Sequence, residues 1–195
     1  LAKENVLLNS MKGIETLSRV DVLCVDKTGT ITEPGMEVTE IRPAKDGQDL
    51  ETLAQYVEAS MDQNDTMDAI RKFHKTPVSR PWKTIDVQPF TSKKKYGAIA
   101  FESGTYVLGA PEFVLREGFS ELEQEIAPAT QAGNRVLAFG KYRGDHLGET
   151  LGAPVDLVAW IILSNPLRKN AKETFAYFKQ QGVTIKVISG DNPAT

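Results

Sequence analysis

Cysteine is almost absent: Cys24 is the only one in 195 residues, which excludes a disulfide framework and fits a reducing compartment. Its apolar neighbours mark it as a small core residue. Charge of one sign is missing too. A formal net charge of -3, with 25% charged residues of both signs, offers no basic stripe to nucleic acid and no acidic tail. No apolar run approaches the roughly 20 residues that cross a bilayer. Lys3 and Glu4 stand where a signal peptide would be apolar, so these residues are expected neither to span a membrane nor to enter a secretory route. Internal repeats and low-complexity segments are lacking. Neither His74 nor His146 has a second histidine or cysteine at ligand spacing. Asp62, Asp65 and Asp68 lack the glycine and terminal glutamate of a calcium loop. What remains is a globular composition, 41% hydrophobic, at a length for one large domain or two small ones.

Three segments separate by pattern. Val6, Leu7, Ile14 and Leu17 give residues 1–17 an amphipathic helical texture interrupted by Gly13. Val20-Asp21-Val22-Leu23-Cys24-Val25 predicts a strand buried on both faces, and it stops at the polar Asp26-Lys27-Thr28-Gly29-Thr30. At the far end Trp160-Ile161-Ile162-Leu163 reads as another buried strand and Pro166 breaks it. A helix over 168–181 with Ala171, Phe175 and Phe178 on one face follows, stopped by Gly182. Residues 183–188 read as a strand ending in Ser189-Gly190-Asp191, and strand, helix, strand predicts a parallel crossover. Between these ends the texture is antiparallel. Lys45-Asp46-Gly47 marks a turn, Asp49 caps a helix to about Ser60, and a second helix covers 66–73. Strands are expected at 84–87, 96–101 and 105–108, with Ser103-Gly104 as a hairpin turn, then a helix near 121–126 and strands at 135–142 and 155–163. The expected fold is α/β. A parallel domain's chain leaves after its first strand, builds an inserted α+β domain with an antiparallel sheet, and returns, giving segments 1–35, 36–160 and 161–195.

In parallel sheets ligands gather beyond the carboxyl ends of the strands. Asp26 and Asp191 each fall one to three residues past such a strand, so if the strands are neighbours both carboxylates reach one pocket. Gly29 permits close backbone approach to a phosphate while Thr28 and Thr30 offer hydroxyls, and Asp26 is then placed as the nucleophile of an aspartyl-phosphate. The alternatives are an ordinary polar loop at Asp26 and a helix cap at Asp191, before Asn192-Pro193.

Asp26-Lys27-Thr28-Gly29-Thr30, followed by Ile31-Thr32, resembles the DKTGT signature of the P-type ATPases. The resemblance implies a partial haloacid-dehalogenase-like, Rossmann-like phosphorylation domain interrupted by a nucleotide-binding domain. It implies ATP and Mg²⁺ as cofactors, with Asp26 accepting the γ-phosphoryl group, Lys27, Thr28 and Thr30 supporting it, and Mg²⁺ on Asp26 and Thr28. The wider haloacid-dehalogenase phosphatases carry a second Asp two residues after the nucleophile as general acid/base. Here that place is Thr28, so a long-lived phosphoenzyme is implied. Ser189-Gly190-Asp191 resembles the TGD motif with Ser for Thr, and Asn165-Pro166-Leu167-Arg168 the DPxR hinge with Asn for Asp.

Phe90 and Lys95 match the aromatic that stacks on adenine and the lysine lining its pocket, and Ser92 and Arg168 join the implied nucleotide set. Gly109-Ala110-Pro111-Glu112 matches KGAPE without its lysine, which is Leu108 here. Gly133-Asn134-Arg135-Val136-Leu137 resembles the stretch whose arginine reaches the phosphates, a surface salt bridge being the other reading of Arg135. The segment from Asn64 through Thr66 to Ile70 resembles one near the adenine, with Met67 where many members have Glu. Lys93 and Lys94 read as solvated. The implied whole is an ATP-driven cation pump with this segment at the cytoplasmic face of a membrane. Its partners are the remaining phosphorylation domain, an actuator domain and transmembrane helices of the same protein, with the transported cation bound elsewhere and no nucleic acid. The segment alone is expected to bind ATP with little turnover. The His-Pro motif of heavy-metal pumps is missing, and Leu108 before Gly-Ala-Pro-Glu is similar to a bacterial branch suspected of moving Ca²⁺. Two rivals remain: a capped phosphatase and a non-catalytic nucleotide-binding module.

Overall fold

The longest stretch of large apolar residues, centred on Trp160-Ile161-Ile162-Leu163, determines where the main core lies. In the computed structural model, which describes residues 12–45, 50–74 and 78–188, that stretch belongs to β7 (Val155–Ser164) of a six-stranded antiparallel sheet. The sheet order is β2 (Glu37–Pro43), β7, β6 (Arg135–Tyr142), β5 (Gly104–Gly109), β4 (Tyr96–Phe101) and β3 (Thr84–Gln88). Alternate side chains of a strand point to opposite faces. Ile161 and Leu163 therefore enter one core with Tyr56, Ile70, Phe101, Tyr106 and Phe139, while Trp160 and Ile162 enter another with Tyr96, Val114, Ile126 and Ala138. Helices α2 (Glu51–Ala59) and α3 (Asp65–Phe73) cover the first face, and α4 (Pro111–Val114) and α5 (Phe119–Gln131) the second.

Residues 160–163 were expected to open a parallel crossover, and that expectation is corrected. They pair antiparallel with β6 on one side and β2 on the other. A strand covered on both faces loses its polar alternation, so its sequence looks the same in either kind of sheet. The strand that sequence reasoning did not name is β2, an edge strand whose Glu40 and Arg42 are paired at 2.8 Å and whose end carries Pro43, tolerated there because an edge N–H has no partner to lose. Asn64 caps α3, its Oδ1 accepting from the Met67 N–H at 2.9 Å, with Asp65 and Asp68 in the first turn and Arg71 and Lys72 in the last. Helix α2 starts at Glu51, and the expected cap Asp49 and turn residues Asp46 and Gly47 lie outside the described residues. The β4–β5 hairpin turns on Glu102-Ser103. Gly104, at φ +137°, already pairs with Phe101, so the turn centre falls one residue earlier than expected.

A separate unit holds Leu1–Pro34 and Leu167–Gly190, while Gly35–Pro166 is the inserted unit. The described part of the former contains α1 (Lys12–Leu17), β1 (Val22–Asp26), α6 (Ala171–Gln180) and β8 (Thr184–Ile188). Strands β1 and β8 are parallel neighbours in register from Val22 with Thr184 to Asp26 with Ile188. On α6 the half-buried residues include Ala171, Phe175 and Phe178, one face as the spacing predicted, and Gly182 at φ +76° ends the helix. Cys24 is exposed, against the expectation of a core position, and Val22, Val187 and Ile188 are exposed there too. The expected fold class, a parallel α/β part interrupted by an insertion with an antiparallel sheet, is borne out.

Burial pushes the phenols of Tyr56, Tyr96 and Tyr106 up, most strongly at Tyr56, where the Asp62 charge adds to it. The unfolded chain loses these protons near pH 10 while the folded chain keeps them. Stability is therefore present below that pH and falls as pH rises through it. The urea midpoint is expected to drop between pH 9 and about 11, with Tyr56→Phe flattening the decline. A midpoint indifferent to pH across that range would contradict the burial of these hydroxyls.

Candidate phosphoryl-acceptor loop and nucleotide site

Asp26 is the last residue of β1, exposed at the carboxyl end of the strand, beside Ile188 of β8. The next residues cannot continue the strand, because Gly29 takes φ +76°, a conformation that disfavours any other side chain there. The loop is closed by Thr32, which is only 3% exposed. Its backbone N–H donates to the Lys27 carbonyl at 3.2 Å, its Oγ1 accepts from the Gly29 N–H at 3.1 Å, and its hydroxyl reaches the Lys27 carbonyl at 3.4 Å. Arg168 holds the other side. Its Nη2 donates to the Gly29 carbonyl at 2.9 Å, its backbone N–H to the Ile31 carbonyl at 3.0 Å, and its Nη1 lies 3.9 Å from Glu33. Thr28 and Thr30 are left exposed, and Lys27 half-buried. The loop therefore presents a carboxylate and two hydroxyls on a backbone fixed from below. Ser189, Gly190 and Asp191 lie outside the described residues.

In the inserted unit the expected nucleotide residues fall at one end of the sheet. Phe90, exposed to 43%, follows β3. Ser92 and Lys95, both exposed, lie in the tight turn before β4, where the Lys95 N–H donates to the Thr91 carbonyl at 2.8 Å and Lys95 takes φ +61°. Ala110 N–H donates to the Lys95 carbonyl at 2.9 Å, which brings Gly109 and Ala110 against that turn. Gly109 has no room for a side chain, since a Cβ would collide with the Lys95 carbonyl oxygen and Tyr96 Cα. Thr66 and Arg135 share a neighbour that sequence reasoning missed. The Thr66 hydroxyl and Arg135 Nη1 both meet the Met36 sulfur, at 3.6 and 3.5 Å. A thioether is a weak, neutral acceptor, and among the described residues no carboxylate pairs with Arg135.

Arg168, expected among the nucleotide residues, has the acceptor loop as its partner. Leu108 and Met67, which replace the Lys and Glu of the resembled family, are 6% and 3% exposed and belong to the core. Asn165, where that family has Asp, donates from Nδ2 to the Gly35 carbonyl at 2.8 Å, a bond that a carboxylate cannot make. Thr32 and Met36 escaped notice for different reasons. Thr32 is a buried hydroxyl, findable by asking what satisfies the loop's amides, whereas a lone methionine gives no signal.

A family described as haloacid dehalogenase-like hydrolase matches residues 20–195, and the chain belongs to it. Curated relatives include a probable cation-transporting ATPase of Streptococcus pneumoniae, 38% identical over 202 residues, with 100% of this chain and 25% of that protein covered. They also include the calcium-transporting ATPase CtpE of Mycolicibacterium smegmatis, 36% identical over 195 residues, with 98% and 24% covered. The crystal structure of a zinc-transporting PIB-type ATPase in its E2.Pi state shares the fold at a TM-score of 0.66 and 23% identity, covering 93% of this chain and 27% of that one. The chain thus spans about a quarter of the relatives' length, and the likeness to P-type ATPases read from the Asp26 loop is borne out.

Thr32→Val removes the side-chain acceptor of the Gly29 N–H while keeping the volume. Losing one such hydrogen bond at an exposed residue costs about 0.5–1.5 kcal/mol. Amide exchange at Gly29 is expected to speed up by roughly two- to tenfold, with exchange in the six-stranded sheet unchanged. Unaltered Gly29 protection would remove Thr32 as the closing residue.

Proposed function

We propose that this chain is the ATP-binding and phosphoryl-accepting segment of an ATP-driven cation pump, facing the cytoplasm. The observation that carries the proposal is the exposed Asp26 carboxylate at the carboxyl end of β1, held on a loop tied by Thr32 and Arg168. In the whole protein an Asp26 oxygen attacks the γ-phosphorus of ATP in line, the bond to the β,γ-bridging oxygen breaks, and ADP leaves with that oxygen. Thr28 and Thr30 hydroxyls donate to the transferred oxygens, and Lys27 adds positive charge. Ser189, Gly190 and Asp191, directly after Ile188, complete the pocket by resemblance. Asp26 and the exposed Thr28 form an oxygen donor set that suits Mg²⁺. When bound, Mg²⁺ neutralises charge on the phosphoryl oxygens. Thr28 stands where a phosphatase keeps its general acid/base, and its hydroxyl is too weak an acid to take up or release a proton at neutral pH, so the phospho-aspartate persists.

The base is proposed to stack on the exposed Phe90 ring beside Lys95, Ser92, Gly109 and Ala110, with Thr66 near it and Arg135 on the phosphates. The exposed guanidinium of Arg135, which meets a neutral sulfur and no carboxylate among the described residues, supports that role. Partners of the segment are the rest of the phosphorylation domain, an actuator domain and membrane helices of the full-length protein. Calcium is the cation proposed, on the name of the CtpE relative and the Leu108-Gly109-Ala110-Pro111-Glu112 stretch. The burial of Leu108 and Met67 keeps a second reading open, a module that binds nucleotide without catalysis in the whole protein.

Stacking of a base on an aromatic ring is worth roughly 1–3 kcal/mol, about 5- to 150-fold in affinity. Calorimetric titration is expected to show ATP binding by the chain and a loss in that range for Phe90→Ala. Equal heats for the two proteins would take Phe90 out of the site, and no heat at all would end the nucleotide proposal. Incubated with MgATP or small phosphomonoesters, the chain is expected to release no phosphate over many turnovers. Sustained release would favour the phosphatase. In the full-length protein, acyl-phosphate labelling is expected to vanish in Asp26→Asn, and persistence of the label would exclude Asp26.

A further inference from the structure

The loop between α2 and α3 carries a carboxylate that the proposed mechanism leaves idle. Asp62 is half-buried, and the backbone N–H of Phe90 lies 3.4 Å from each of its oxygens. Phe90 sits past the end of β3, where the ladder to β4 closes at Gln88 and Ala98, so no strand pairing secures it. A carboxylate facing a single N–H is a charge-assisted contact between segments far apart in sequence. Its own loop is pinned. The Asp62 N–H donates to Ser60 Oγ at 3.3 Å, Arg71 Nη2 donates to the Ser60 carbonyl at 2.8 Å, and Asn64 begins α3 two residues on.

A second observation marks the same spot. Gly97 lies on β4, and a Cβ there would stand 3.1 Å from the Tyr56 hydroxyl, 3.2 Å from the Phe90 nitrogen and 3.3 Å from the Gln88 carbonyl oxygen. The missing side chain leaves room for the Phe90 backbone and the Tyr56 hydroxyl to come close to the same point of β4. The field of Asp62 is felt at Tyr56, where it adds to burial in holding the phenol neutral. The carboxylate that faces the Phe90 N–H therefore lies in a closely packed part of the inserted unit.

We propose that Asp62 is a positioning residue for nucleotide binding: it fixes the backbone of Phe90 so that the ring is presented face-on to the base before the ligand arrives. This rests on the proposed nucleotide site. A platform already ordered loses less conformational freedom on binding, so removing its anchor lowers affinity without removing a ligand contact. The carboxylate holds the ring's backbone rather than reading the base, and any base that stacks should feel its loss equally.

The experiment compares ATP with inosine triphosphate, which has oxygen in place of the exocyclic amine, on the 195-residue chain. The proteins are wild type, Asp62→Ala, Asp62→Asn, Phe90→Ala and the Asp62→Ala/Phe90→Ala double variant. Asp62→Ala is expected to weaken both nucleotides by the same factor, about three- to tenfold, which is the order of one ordinary hydrogen bond, as suits a contact of 3.4 Å. Asp62→Asn, which keeps an acceptor oxygen, should recover most of that loss. In the Phe90→Ala background the Asp62→Ala change should have no further effect, while the urea midpoint stays near wild type throughout. Multiplying losses in the double variant would overturn the proposal. So would a loss for ATP alone, since that assigns Asp62 to the amino edge of the base. Should Asp62→Ala fail to fold, Asp62→Asn titrated with the two nucleotides decides the matter, unequal losses overturning the proposal. Binding sensitive to Phe90 but indifferent to Asp62 would sink this inference alone, whereas a wild-type chain that binds neither nucleotide sinks the site on which it rests.

Discussion

The parallel pairing of β1 with β8 is the contact on which the proposed acceptor chemistry depends. It joins segments from opposite ends of the chain, so the entropy of closing a very long loop must be met by a short ladder of five residue pairs. The return is positional. Two strand ends sharing a register also share the edge of the sheet beyond which loops collect, and Asp26 stands at that edge. An inserted unit with its own sheet and two cores is compatible with this pairing, because its interior is complete without help from β1 and β8.

Once the strand ends are placed, the acceptor loop is held by groups that are not reactive. Thr32 spends its hydroxyl and its amide on the backbone of Lys27 and Gly29, and Arg168 gives a guanidinium N–H to the Gly29 carbonyl. The hydroxyls of Thr28 and Thr30 and the carboxylate of Asp26 are left facing outward. Support from side chains bonded to the loop backbone, and chemistry from the exposed groups that remain, is the division expected of a preorganised site. The same division holds in the inserted unit. Gly97 and Gly109 give up side chains so that backbones can approach, and Phe90, Lys95 and Arg135 stay at the surface.

The departures from the P-type pattern have local physical consequences. Leu108 and Met67 turn polar positions of that pattern into core positions, which adds apolar burial to the inserted unit. Asn165 turns a carboxylate into a hydrogen-bond donor and ties Gly35 and Asn165 together where the chain enters and leaves the inserted unit.

The strands at 96–101 and 135–142, the helix face of Ala171, Phe175 and Phe178, and the acceptor loop after a β-branched run were all legible in the amino-acid sequence. Each is a local pattern, a period or a motif, and local patterns survive without coordinates. The membership of residues 160–163 was not legible, because burial on both faces erases the alternation that separates antiparallel from parallel strands. Nor was the exposure of Cys24, which depends on what packs against the faces of β1. The partners of Thr32, Met36, Asp62 and Arg168 were decided only by the tertiary structure. Hydrogen bonds between residues far apart in sequence leave no periodic trace; they exist only once distant backbones have been brought within about 3 Å of one another.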